Sequence, residues 1–480
     1  MSVAARDYSL TGPESVRAVE CGLANASWFQ PEIDPVVMRG LQRRTNGRAA
    51  RDVVLWVVLL VGFGVLAWWS MWSWWSIPAF AAYGALYGGS ADPRWHECGH
   101  GTAFRSSRAN DMVYVVASFM LFRGATVWRW SHYRHHTDTI IVGRDAEIVF
   151  QRPPSVWRAA LLYTHLQGGS LMFWRLVKHA FGRIDADARN FVPDNELGKV
   201  KWESRVYVGV VAAAAVWSLA INSIVPLLFV GLPSIYGAWL MVFFGVTQHA
   251  GMQEDVLDHR LNTRTVYMNP ILRFLYLNMN YHVEHHIFPS VPYYALPALH
   301  SEIKTQLAPP LRSTWAAYRE IWSALWKQQH DVTYELSKVL PASQAAPHQI
   351  DVGERNWVHG HDGTVDLGAA GSLLTGEIRR IDVDERSFVL CGLDHGNVAL
   401  LDGVCTHAQV HLCDGALVDG TIECPKHNGR FELTTGAPVR KPVRLPLATY
   451  DVDVVAGRFV STLIARPLAT AEPEQHRSTT

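Results

Sequence analysis

A chain of 480 residues is long enough for two or three domains, and 49% hydrophobic content with 19 tryptophans is more than a soluble enzyme usually carries. Basic and acidic residues balance at 43 each, which excludes nucleic acid or another polyanion as a partner held by bulk charge. Six cysteines lie at irregular spacing, four of them in the last 90 or so residues, and this favours metal ligation in a reducing compartment over a disulfide framework.

Residues 1–50 have no apolar core behind a basic start, so no cleavable signal peptide is expected and they read as a cytoplasmic N-terminal segment. From Val53 to Ala91 there is no Asp, Glu, Lys or Arg. A helix needs about 20 residues to cross ~30 Å of hydrocarbon, so this stretch predicts two crossings with a turn near Ser70 to Pro78. A first histidine cluster, His96-Glu97-Cys98-Gly99-His100, follows, and a second, His132-Tyr133-Arg134-His135-His136, comes soon after. The amphipathic stretch Trp157 to Phe181 predicts a helix along an interface or a plain packing helix. Val206 to Gln248 is again uncharged and predicts two more crossings around a turn near Ser223 to Pro233. It ends on His249, and a third cluster, His282-Val283-Glu284-His285-His286, lies beyond.

Basic residues set the orientation. Arg39, Arg43, Arg44, Arg48 and Arg51 precede the first crossing, Arg94, Arg105 and Arg108 follow the second, and Lys199, Lys201 and Arg205 precede the third, while both turns have none. The positive-inside rule puts the turns outside and both termini in the cytoplasm of a cell inner membrane. Parity then places all three clusters on the cytoplasmic face. Eight imidazoles exceed what one ion can use. Imidazole suits iron, zinc and copper, and residues at i, i+3 and i+4 share a helix face, so the simplest reading is a two-metal site. His249, closing an apolar helix on the same face, is a ninth candidate. Glu97, Asp138, Asp145, Glu147 and Glu284 are near enough in sequence to accept the other ring N–H of a ligand, although each reads as well as a surface or capping carboxylate.

The order HxxxH, HxxHH, second hairpin, HxxHH resembles the membrane fatty-acid desaturase and hydroxylase superfamily over residues 50 to 310. Trp130-Ser131-His132, Gly143-Arg144-Asp145-Ala146-Glu147 and Asn280-Tyr281-His282 before Phe288-Pro289 are most similar to a bacterial branch that groups acyl desaturases with hydrocarbon oxygenases. The resemblance implies an all-α, four-helix transmembrane domain over 51–330, with two non-haem irons that activate O2. It assigns His96, His100, His132, His135, His136, His282, His285 and His286 as ligands, and the extra histidine that the superfamily often carries strengthens His249. Neutral imidazoles would keep such a site oxidising with open coordination positions.

Residues 331–354, with Pro341 to Pro347, read as a flexible linker. Within 355–465 come Cys405-Thr406-His407 and, sixteen residues later, Cys424-Pro425-Lys426-His427. Two thiolates and two imidazoles on paired loops suit a Rieske [2Fe–2S] cluster, with Cys2His2 zinc as the plain alternative. Short alternating runs such as Ser387 to Leu390 and Val398 to Leu401 predict a small all-β domain. Trp357 to Leu463 resembles bacterial Rieske ferredoxins. The second loop lacks the extra cysteine of respiratory Rieske proteins, Cys413 has no partner there and is read as a buried thiol, and fewer donors to sulfur imply a lower potential. Residues 466–480 form a polar tail. The fold class is therefore multi-domain, a helical transmembrane desaturase-like domain plus a small all-β Rieske domain.

The tether raises the effective concentration of the carrier at its acceptor, so the cluster is expected to feed the di-iron centre directly. No Gly-rich dinucleotide fingerprint follows a predicted strand, which implies a separate NAD(P)H-dependent flavin reductase. Two enzyme readings compete. His96-Glu97-Cys98-Gly99-His100 also satisfies the zinc-protease pattern HExxH, but that would leave six clustered histidines unused. A soluble aromatic-ring oxygenase would need a mononuclear iron domain after the Rieske module, and only the tail follows. Bilayer embedding favours a lipid-like or other hydrophobic substrate. Acyl desaturation ranks slightly ahead of hydroxylation of a hydrocarbon or small metabolite; the two diverge only after a shared hydrogen abstraction, so substrate position decides between them.

Overall fold

The first uncharged stretch begins as one uninterrupted helix. In the computed structural model, which describes residues 6–341 apart from 25 and 27 and residues 364–467 apart from 385, 408, 409 and 427, helix α1 runs Asn46–Trp69. Val54, Leu55, Val58 and Val61 point outward, and Trp69, Trp72, Trp74 and Trp75 are exposed around the turn that follows. The chain divides into two compact units, Met1–Pro347 and His348–Thr480.

The expected second crossing is built differently from the first. It runs as α2, Ser76–Gly84, then a π-helical turn Ala85–Gly89, then α3, Ala91–His100. Glycines explain the interruption. A Cβ on Gly88 would lie 2.5 Å from the Pro233 carbonyl oxygen, and one on Gly89 2.5 Å from Leu240 Cβ, so bare backbone lets residues 233–240 press against this segment. Among the described residues three helices are long and apolar enough to cross a membrane, Asn46–Trp69, Asp194–Ala220 and Val225–His249, where sequence periodicity predicts four.

Further helices bring the clusters inward. The longer of them and the one bearing the third cluster are α4, Ser107–Met120; α5, Ala125–Thr137; α6, Leu166–Ala180; α7, Leu197–Ala220; α8, Trp239–His249; α9, His282–Ile287; α10, Leu296–Ile303; and α11, Thr314–His330. A continuous core including Trp56, Tyr87, Trp95, Tyr114, Phe244 and Met279 fills the space between them. The stretch Trp157 to Phe181 is not one helix. It breaks at His165, whose backbone is left-handed at φ 48°, while Leu171, Trp174 and Phe181 beyond the break remain exposed.

The second unit is antiparallel throughout its described strands. One sheet orders β1 (Val365–Ala369), β11 (Arg458–Ser461) and β10 (Asp453–Val455). A second orders β2 (Ile378–Val383), β3 (Arg386–Gly392), β4 (Val398–Asp402) and β9 (Thr449–Tyr450). The third joins β5 (Ala416–Val418), β6 (Thr421–Glu423), β7 (Arg430–Glu432) and β8 (Pro438–Arg440). Pairing of Phe388 with Asp402 and Leu390 with Leu400 sets the register that buries Phe388, Leu390 and Leu400 on one face. The first Cys/His loop leaves β4 and the second joins β6 to β7. Of the expected linker and tail, residues 342–354 and 468–480 lie outside the described residues.

Candidate functional site

Helical spacing does the first part of the assembly. On α3, His96 and His100 stand one turn apart, on α5 His132 and His136 do the same, and α9 offers His282, His285 and His286. Packing brings the three helices face to face. His96 Nε2 lies 2.8 Å from His285 Nε2, His132 Nε2 is 3.1 Å from His100 Nε2, and His136 Nε2 is 3.2 Å from His132 Nε2. The ligand atoms of His96, His100, His132, His136 and His285 all fall within 4.8 Å of one another, and every one of these residues is buried.

A second group converges beside the first. It joins His135 and His286 to His249, the last residue of α8. His249 Nε2 is buried with no hydrogen-bond partner, whereas its Nδ1 lies 2.9 Å from the Asn262 carbonyl. That anchor fixes which nitrogen faces the cluster. His282 sits at the edge of this group, its Nε2 3.2 Å from that of His286 and its ring 5.0 Å from the ring of His249. Eight of the nine sequence candidates therefore gather into two adjoining groups, and the ninth, His282, borders the second.

Burial decides their protonation. Loss of water, reinforced by the neighbouring imidazoles, pushes His136, His282, His285 and His286 well below the usual imidazole range, which leaves neutral rings able to bind a metal. Burial opposes a charge on His135 too, but Asp145 beside it prevails and raises that ring to about 9. The inward Nε2 of His249 without a partner, the neutral rings of His136, His282, His285 and His286, and two adjoining groups fit two metal ions of the kind imidazole prefers, with His135 giving up its proton to serve as a ligand.

Carboxylates sort themselves by what they touch. Asp145 Oδ2 lies 2.9 Å from His135 Nδ1, and Glu147 Oε2 lies 3.2 Å from His132 Nδ1 while accepting from Ser131. The other three candidates do different work. Glu97 accepts from the Thr102 hydroxyl at 2.6 Å and from the Tyr293 N–H, Asp138 accepts from Arg144 Nε at 3.0 Å, and Glu284 pairs with His300 and accepts from Thr265. Being next to a ligand in a helix turns Glu97 and Glu284 to another face, and Asp138 lies past the end of α5, where it pairs with Arg144. Glu97 in particular packs between Thr102 and Tyr293, which removes the general base that the HExxH reading requires.

Several partners carry no sequence signal. Thr139 Oγ1 lies 3.2 Å from His286 Nδ1, and Asn262 reaches across 123 residues to the Thr139 carbonyl. His259 stacks on Trp28 with ring centres 4.3 Å apart and lies tilted against His286 at 5.1 Å. Beside the histidines lies a cavity of about 330 Å3, lined by His96, His132, His135, His249 and His282 on one side and by Val149, Phe150 and Met172 on another.

In the β unit the two loops meet in one apolar core. Cys405 and Cys424 are both buried in it, and their backbone N–H groups donate to Val410 and Gly429 within their own loops. His407 is exposed, as expected for a ligand at the edge of an electron carrier, and His427 lies outside the described residues. Cys413 is half-buried, burial pushes its thiol up, and among the described residues no cysteine forms a disulfide.

Comparison with known proteins divides the chain the same way. The fatty acid desaturase family model matches residues 73–318, and the Rieske [2Fe-2S] domain model matches residues 363–451. The ferredoxin component of the naphthalene 1,2-dioxygenase system of Pseudomonas putida is 31% identical over 90 residues, spanning 19% of this chain and 86% of that protein. The ferredoxin component of the p-cumate 2,3-dioxygenase system of Pseudomonas putida is 29% identical over 105 residues, 22% of this chain and 89% of that one. Among solved structures, the ferredoxin of carbazole 1,9a-dioxygenase from Nocardioides aromaticivorans IC177 is 32% identical, covers 20% of this chain and 95% of its own, and has a TM-score of 0.20. The chain thus belongs to the fatty acid desaturase family and is an oxidoreductase that carries its own Rieske electron-transfer domain.

Proposed function

We propose that this protein is an O2-dependent di-iron oxidase of membranes that attacks a C–H bond in a hydrophobic substrate. The single observation that carries this reading is the convergence of eight histidines, all buried but the half-buried His249, into two adjoining groups in a chain that also carries a Rieske domain. The first group and the second would each hold one iron, and the pair would supply the O2 activation. Asp145 and Glu147 orient His135 and His132 through their outer nitrogens, which raises ligand basicity and fixes the rings.

Electrons set the rest of the scheme. Desaturation consumes O2, two electrons, two protons and two substrate hydrogens to give two waters, while hydroxylation consumes O2, two electrons and two protons to give one water and one alcohol. A Rieske cluster passes one electron at a time, so each turnover needs two deliveries, drawn from a separate NAD(P)H-dependent flavin reductase. The exposed tryptophans around the turn after α1, with outward valines and leucines along it, support a bilayer setting, and the basic residues flanking the uncharged stretches favour the cytoplasmic face for the histidines.

Acyl desaturation is the first reading. Hydroxylation of a compact hydrophobic molecule is the second, and the modest cavity with charged groups in its wall is what favours it. Expression in a lipid-producing host with a matched reductase, followed by untargeted mass spectrometry, separates them: loss of two hydrogens marks desaturation, and gain of one oxygen marks hydroxylation. Metal analysis is expected to give about four irons per chain, two in each unit. Stoichiometric zinc without iron would overturn the proposal.

A further inference from the structure

The cavity beside the histidines contains polar groups that neither metal group uses. Its apolar wall is Ile148, Val149, Phe150 and Met172, but Arg123 and His165 also line it. Arg123 is held firmly. It pairs with Asp92 at 2.6 Å, and its guanidinium lies 4.1 Å from the centre of the Trp95 ring and 4.9 Å from that of Trp128. Its Nε is buried with no hydrogen-bond partner.

His165 is placed with equal care. It occupies the left-handed break before α6, a conformation that a non-glycine residue adopts at a cost and that gathers at functional positions. Its buried ring rests on Gly168 and Gly169, where added Cβ atoms would come within 3.1 Å and 3.0 Å of it. Among the described residues nothing hydrogen-bonds the ring. Arg123 is near enough to disfavour its charged form, and burial does so more strongly, lowering it to about 4. A neutral imidazole offers one donor and one acceptor.

We propose that Arg123 and His165 form a subsite for a hydroxyl or carbonyl oxygen on an uncharged, otherwise apolar substrate. The apolar part then lies along Ile148 to Phe150 and Met172, with a C–H bond beside His135 and His249. This rests on the oxidase reading above and narrows its substrate class. Charge argues for a neutral ligand: Asp92 answers Arg123 and Glu147 faces His132, so a carboxylate would meet two carboxylates. A plain alkane filling the cavity would leave the Arg123 Nε and the His165 ring without hydrogen-bond partners, which is costly.

The test is binding to the iron-loaded full chain in nanodiscs, using 1-octanol, n-octane and octanoate as probes. Octanol should bind about tenfold tighter than either of the others, roughly the worth of one satisfied hydrogen bond. His165→Phe should erase that preference. His165→Asn, which tolerates the left-handed backbone and keeps an amide donor, should retain part of it. Where His165→Phe does not fold, the Asp92→Asn/Arg123→Met pair takes its place and should likewise erase the preference. Equal binding of all three probes by the wild type, or a preference that survives these changes, overturns the subsite. Turnover is a separate reading: a chain that prefers octanol yet oxidises nothing overturns the oxidase and leaves the subsite standing.

Discussion

The two units hold their candidate metal sites in opposite ways. In the helical unit, His96 meets His285 across 189 residues, and nothing short of the packed helices brings them together. In the β unit, Cys405 and Cys424 lie fewer than twenty residues apart, on two loops that a single small core supports. Exposure differs in the same direction. The helical histidines are buried, apart from the half-buried His249, and reached through the cavity beside them, whereas His407 opens to solvent. An oxidising centre needs shelter from side reactions, and an electron carrier needs an edge that its partner can approach. Long-range assembly therefore accompanies enclosed chemistry, and local assembly accompanies exchange with the outside.

The largest effects should come from removing one ligand in each unit and reading both. His286→Ala is expected to abolish turnover and lower iron content while leaving the Rieske absorption and electron paramagnetic resonance signals intact. Cys424→Ser should do the reverse, erasing the Rieske signals with iron retained in the helical unit. If either change removed both sets of signals, the two sites would not be independent and the contrast would break.

A smaller effect sharpens the point about outer partners. Asp145→Asn is expected to cost ten- to a hundredfold in activity or metal affinity, because it loosens the His135 ring without removing a ligand. Glu284→Gln is the matched control, since its carboxylate serves His300 and Thr265. That change should leave iron content unchanged and lower stability by about 1–3 kcal/mol. Equal iron loss in the two variants, measured on purified protein, would show that contact with a ring nitrogen is not what matters.

Legibility followed the same divide. The clusters, the uncharged stretches and the Cys/His loops are all periodic or closely spaced, so HxxxH, HxxHH and CxH…CxxH could be read from spacing alone. Thr139, Asn262 and His259 could not, because each owes its place to a neighbour far along the chain. Glu97 and Glu284 misled for the converse reason: adjacency on a helix puts a residue on a different face from its neighbour. The interruption of the second crossing also escaped, since hydropathy registers apolar length and is blind to Gly88 and Gly89 easing a π turn against Pro233 and Leu240. His165 shows only as a polar interruption in an amphipathic run, with Gly168-Gly169 as the one local hint that its ring needs room.

The smallest expected effect concerns stability confined to the β unit. Gly436 sits at φ 70°, and its carbonyl accepts from the Leu447 N–H, which ties the turn after β7 to the strand that leads into β9. An added Cβ would run into the Leu447 carbonyl oxygen, so the backbone cannot simply accept a side chain. Gly436→Ala should therefore destabilise this unit by more than about 1 kcal/mol, the strained-alanine case rather than the stabilising one. The measurement is the temperature at which Rieske absorption is lost, compared with the temperature at which iron leaves the histidine groups. A site assembled locally should fail first and by itself when its own turn is strained, with the histidine groups still loaded. Loss of both at one lowered temperature would mean that the β unit, too, depends on the whole chain for its site.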